Sequence, residues 1–175
     1  MTDFGHHYRG FGLTSNISTW GCFKIENRSI DLIQVEYVDS GVENGGTDVC
    51  LFNYVVLANV VGLEEDLASD FKPVYEKTSF FGKEEVGKEW IGGQLAQRLR
   101  VDLELETGLA SFSELERLEI RPHTKQKCVS ITPVHRGASN LPKFLTIRRE
   151  IPTREAFEAY DKIALHIRDY IDSAK

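Results

Sequence analysis

Nine basic residues, Arg117, Arg121, Lys125, Lys127, Arg136, Lys143, Arg148, Arg149 and Arg154, stand between positions 117 and 154 against only Glu119 and Glu150. Guanidinium forks match phosphate and carboxylate oxygens in bidentate fashion, and lysine adds compact positive charge, so such a run can recognise an anion. Spacing matters more than number. If residues 116–121, 127–134 and 143–149 are strands, side chains alternate between faces. Leu118, Ile120, Val129, Ile131, Leu145 and Ile147 then share one face, and Arg117, Arg121, Ser130, Thr132, Thr146 and Arg148 share the other. His123, Lys125 and Lys127 fall in the turn beside them. The candidate anion or partner site is therefore Arg117, Arg121, His123, Lys125, Lys127 and Arg148. On this reading, changing Arg121 and Arg148 together to serine removes a salt-sensitive interaction and leaves stability nearly unchanged. The competing expectation is that the acidic first half covers this face and neutralises it: from Glu36 to Glu76 the acids are opposed only by Lys72.

Other chemistry-bearing strings are weaker. Gly82-Lys83-Glu84-Glu85-Val86-Gly87-Lys88-Glu89 has the spacing of a phosphate loop, but Glu89 stands where a magnesium-binding hydroxyl belongs. Glu84 and Glu85 would also set negative charge against the phosphates. Gly10-Phe11-Gly12 lacks the third glycine of a dinucleotide loop, with Ser15 in its place and no strand before it. Of the histidines, His6, His7, His123, His135 and His166, no two have the spacing of metal ligands on one element. His123 and His135 are the weak metal candidates, brought together across a hairpin with Glu119 or Cys128 as a third ligand. His166 reads as a hydrogen-bonded, partly buried imidazole of the last helix. A GxSxG elbow, an HExxH helix and a Ser/His/Asp string are all missing.

The elements that must position these residues make an α+β fold, mainly antiparallel sheet with two longer helices, in the order βββ(α)α-βββα. Residues 1–16 read as an N-terminal arm, and 17–175 as one domain of two similar halves, 17–108 and 112–175. Strands are expected at Trp20–Glu26, Ile30–Val38 and Thr47–Val61, the first two joined by an Asn27-Arg28-Ser29 turn. The third is apolar on both parities and so belongs in the interior of the sheet. Leu63–Asp70 reads as a short helix ending ahead of Pro73. Val86, Trp90, Ile91, Leu95, Leu99 and Leu103 recur at helical spacing and predict a helix from Lys83 to Glu106, weakened by Gly87, Gly92 and Gly93. Phe80 and Phe81 would staple its start. The last helix runs from Arg154 to about Asp172, with Thr153 as N-cap, a buried stripe from Phe157 to Ile171, and a Glu158–Lys162 pair on its wet side.

The chain has 175 residues, 41% hydrophobic and 27% charged, which is enough for a packed core without staples. Cys22, Cys50 and Cys128 form no CxxC pair, pointing to a reducing, cytoplasmic setting. The start resembles no signal peptide, and the longest apolar run is too short to span a bilayer, so membrane insertion is not expected. A net charge of −6, with Phe144 the sole aromatic among the bases, argues against nucleic acid.

Three functional expectations follow. The first is a non-enzymatic binding protein using the basic sheet face for an anionic small molecule or an acidic protein surface. The second is a small metal-dependent or histidine-based hydrolase or transferase with its cleft between the halves. The third is a subunit of a homo-oligomer. No cofactor is indicated by any motif.

Overall fold

The computed structural model describes residues 16–39, 49–77, 83–135 and 152–174. They form a single seven-stranded antiparallel sheet with helices packed on it. The strands are β1 (Asn16–Lys24), β2 (Leu32–Asp39), β3 (Val49–Leu57), β4 (Ser69–Lys77), β5 (Lys83–Gly92), β6 (Leu115–His123) and β7 (Cys128–His135). The helices are α1 (Glu64–Leu67), α2 (Gln94–Arg100), α3 (Leu103–Ser111) and α4 (Arg154–Ser173). The spatial order is β1-β2-β3-β7-β6-β4-β5. Strands from either side of 108–112 interleave: β3 pairs with β7, and β4 with β6.

Register explains which residues go inside. Opposite residues of an antiparallel pair share a face, so Tyr54 with Ile131, Val56 with Val129, Ile120 with Ile131, and Phe71 with Leu118 and Trp90 all point one way. These residues are fully buried and meet Tyr160, Ile163, Ala164 and Ile167 of α4 and Leu95 and Leu99 of α2 in one core. The expected alternation of β6 and β7 is observed, with Leu118, Ile120, Val129 and Ile131 inside. β3 lies in the sheet interior, and Val55 on its other parity is also buried, together with Cys128.

α4 begins where Thr153 caps it, its side chain accepting from the Ala156 amide at 3.2 Å. Its polar side clamps the β1–β2 loop. Asp161 Oδ1 accepts the Ser29 and Ile30 amides at 2.7 and 3.0 Å. Arg168 donates to Ser29 O at 2.9 Å and to Asp31 Oδ2 at 2.6 Å, and that same oxygen accepts the Leu57 amide at 2.6 Å. The loop turns through Asn27 at φ 59°, a left-handed position that asparagine tolerates. The expected Glu158–Lys162 pair is not made. Glu158 pairs with Arg28 at 2.8 Å, while Lys162 reaches Asp102 and Glu104, each at 2.9 Å, because both side chains find partners on packed neighbours.

The long helix predicted over Lys83–Glu106 is replaced by β5, α2 and α3. A spacing of four residues fits both a helical and a strand period, so Val86 and Trp90 carried the same signal for either. The glycines decide it. Gly92 sits at φ 140°, and a Cβ at Gly93 would lie 2.2 Å from Glu65 O and 2.5 Å from Asp66 O. The chain therefore leaves β5 through a sharp bend pressed against α1, with Gly93 N donating to Ala68 O at 3.0 Å. α1 is also shorter than predicted, and Pro73 lies inside β4. Pairing of β4 to β6 covers only Ser69–Phe71, so the missing amide of Pro73 falls where β4 has β5 as its only paired strand among the described residues. The expected arm, apart from Asn16, the Phe80–Phe81 staple and the 143–149 strand lie outside the described residues.

Candidate anion and partner surface

The hairpin of β6 and β7 positions the predicted site. Arg121 lies opposite Ser130, Glu119 opposite Thr132, and Arg117 opposite Val134, all on the sheet face away from the helices. A register shift between Leu115 and Arg117 precedes this run and lets Leu115 remain in the core. The chain reverses at residues 124–127, with Lys127 N donating to Thr124 O at 3.3 Å and Lys127 itself at φ 51°.

Arg121 is fixed by the fold. Its Nη1 donates to Ser69 O at 3.1 Å and Ile120 O at 3.0 Å, and its Nη2 donates to Asp70 Oδ1 at 2.6 Å. Glu119 Oε2 is 3.6 Å away. Arg117 pairs with Glu119 Oε1 at 2.9 Å. Asp70 of the acidic first half and Glu119 within β6 are the acids that pair with these two bases. Arg121 is thus part of the sheet's own bonding.

The turn differs. Lys125 and Lys127 are exposed and form no ion pair among the described residues. His123 Nε2 lies 2.9 Å from Ser130 Oγ. Thr132 Oγ1 donates to Asn53 Oδ1 at 2.8 Å, so the hydroxyls of Ser130 and Thr132 on this face are engaged within the sheet. Arg148, Arg136, Lys143 and Arg149 lie outside the described residues.

The β6–β7 turn adjoins the end of β3. Leu57 is opposite Cys128, and Ala58 N donates to Lys127 O at 2.9 Å. Leu57 is 46% exposed, and Val61, in the turn that Gly62 completes at φ 83°, is 69% exposed. Two lysines of the β6–β7 turn, Leu57 at the end of β3 and Val61 in the turn after it therefore belong to adjoining segments at one end of the sheet.

The histidine pair proposed as metal ligands is not brought together. His123 is opposite Cys128 at the turn, and His135 is opposite Leu115 at the open end of the ladder. Seven residues of strand separate the two positions, roughly 23 Å at the rise of extended chain. Cys128 is buried, and burial pushes its thiol up to about 11, so it stays protonated at neutral pH. Among the described residues, no group of three or more His, Cys, Asp or Glu side chains is arranged to hold a metal.

One cluster was not foreseen. Asp102 caps α3, its side chain accepting the Leu105 amide at 3.0 Å, and it also accepts from Lys162 and faces His166 Nε2, both at 2.9 Å. Burial pushes this carboxyl up, but the hydrogen bonds from His166, the Leu105 amide and Lys162 outweigh it and hold it down to about 2. The predicted hydrogen-bonded role of His166 is observed here. The cluster ties α4 to the start of α3. A continuous helix through Glu106 leaves no N-cap at Asp102, so the sequence pattern does not reveal the cluster.

No helix among the described residues is long and apolar enough to cross a membrane. Compared with known protein families, curated proteins and solved structures, the chain matches none.

Proposed function

We propose that this chain is a non-enzymatic binding protein whose contact surface is the β6–β7 turn, read as a positively charged end of an otherwise acidic domain. The observation that carries this reading is the division within the basic set: Arg117 and Arg121 are neutralised by Glu119 and Asp70, whereas Lys125 and Lys127 are exposed and without an ion pair among the described residues. Compact ammonium groups on a tight turn attract an acidic surface and release it as salt rises. The free thiols of Cys22 and Cys128 support a reducing, cytoplasmic setting.

Retention on a polyglutamate matrix tests the reading. Wild type should be held at low salt and released at moderate salt. The Lys125→Glu/Lys127→Glu variant should pass through while keeping its melting temperature, and equal retention of the two would exclude the turn as the contact.

A further inference from the structure

We infer that the ligand of this turn is an acidic polypeptide segment carrying an aliphatic side chain, rather than a discrete phosphate or carboxylate; this rests on the reading of the β6–β7 turn as the contact surface. A discrete anion is selected by donors that converge on it, above all by an open guanidinium fork. Both guanidinium groups of β6 already hold partners within the sheet. Arg121 spends its donors on Ser69 O, Ile120 O and Asp70, and Arg117 is paired with Glu119. What is exposed here is point charge, Lys125 and Lys127, together with Leu57 at the end of the neighbouring strand and Val61 in the turn that follows it. Ala58 N bonded to Lys127 O fixes the aliphatic loop against the basic one.

A hydrated phosphate gains nothing from leucine and valine, whereas a peptide with glutamates about an aliphatic residue uses both features. Nucleic acid fits less well. Single strands are held by stacking on large aromatic side chains, and segments 57–63 and 123–128 contain no Phe, Tyr or Trp. The net charge of −6 opposes a polyphosphate, while a short acidic segment reaches the lysines without bringing a second long chain of charge near the domain.

Fluorescence anisotropy with a labelled glutamate peptide containing a central leucine pair tests the inference, with pyrophosphate and a single-stranded oligonucleotide as competitors. Affinity should fall at least about tenfold in Lys125→Glu/Lys127→Glu. It should fall about three- to tenfold in Val61→Ser or when the peptide lacks its leucines. Pyrophosphate should not displace the peptide at comparable concentration. Displacement by pyrophosphate, tighter binding of the oligonucleotide, or indifference to Val61→Ser and to the leucines would overturn the polypeptide inference and leave the turn as an anion contact. Absence of binding by wild type, or full binding by the lysine variant, would remove both.

Discussion

Arg121 Nη2 lies 2.6 Å from Asp70 Oδ1, a bond from β6 to β4 that joins the basic stretch of the sequence to its acidic one. The residue opposite Asp70 is Glu119, so Arg121 reaches diagonally and sits between two carboxylates. The same guanidinium also satisfies Ser69 O, at the position where the chain passes from α1 into β4. Arg121 thus braces β6 against β4.

Replacing Arg121 with serine should therefore lower stability by about 1–3 kcal/mol, since Asp70 and two carbonyls lose a charged donor at a partly shielded site. Lys125→Ser and Lys127→Ser should each stay within about 0.5 kcal/mol. Urea unfolding of the three variants separates the brace from the exposed turn.

Asp102 predicts an acid-sensitive step. Its folded-state carboxyl titrates near 2, below the ordinary range, so its contribution is fully present above the unfolded value and is lost as pH falls from about 5 through about 2. The contribution at neutral pH should be about 1–2 kcal/mol. Asp102→Asn keeps a side chain able to cap α3 but removes the charge that Lys162 and His166 face. Its stability should be lower than wild type at pH 7, and the two curves should converge toward pH 2. Parallel curves would assign the acid sensitivity to other carboxylates.

Two glycines make a matched pair. Gly93→Ala places a methyl within 2.5 Å of two backbone oxygens of α1, which cannot rotate away, and should cost more than about 2 kcal/mol. Gly108→Ala lies inside α3 with open space around the new carbon and should gain about 0.5–1 kcal/mol. Thermal denaturation of both variants gives opposite signs if the β5–α2 bend is as tight as described.

Tyr54 lies in the core with its ring centroid 4.8 Å from that of Tyr160, and its hydroxyl has no hydrogen-bond partner among the described residues. Burial drives its phenol well above the ordinary tyrosine range. Tyr54→Phe removes an uncompensated polar group and keeps the ring, so stability should be unchanged or higher by up to about 1 kcal/mol. A loss above that size would mean the hydroxyl is satisfied in solution, for example by a trapped water.

Much of the fold could be read from residue pattern because its signals are local. Alternation in Leu118, Ile120, Val129 and Ile131 gave the inner face of the hairpin, and the stripe from Tyr160 to Ile171 gave α4. β5 could not be read this way. Its four-residue spacing suits two periods, and what decides between them is close packing of Gly93 on α1, a contact made by tertiary structure. The site shows the same divide. Which strands carry Arg117 and Arg121 follows from sequence, but the pairing of Arg121 with Asp70 depends on β4 lying beside β6, which no periodicity encodes. The histidine pair failed for a related reason: a hairpin brings residues together according to register, and His123 and His135 occupy its two ends.

The central claim is that the lysine turn and the adjoining β3 end form the contact surface. Amide chemical-shift mapping of isotope-labelled protein during titration with the leucine-containing glutamate peptide tests it most directly. Perturbations should gather in residues 57–62 and 123–128, fade as salt rises, and be absent in Lys125→Glu/Lys127→Glu. Shifts centred elsewhere, or unchanged in that variant, would contradict the account.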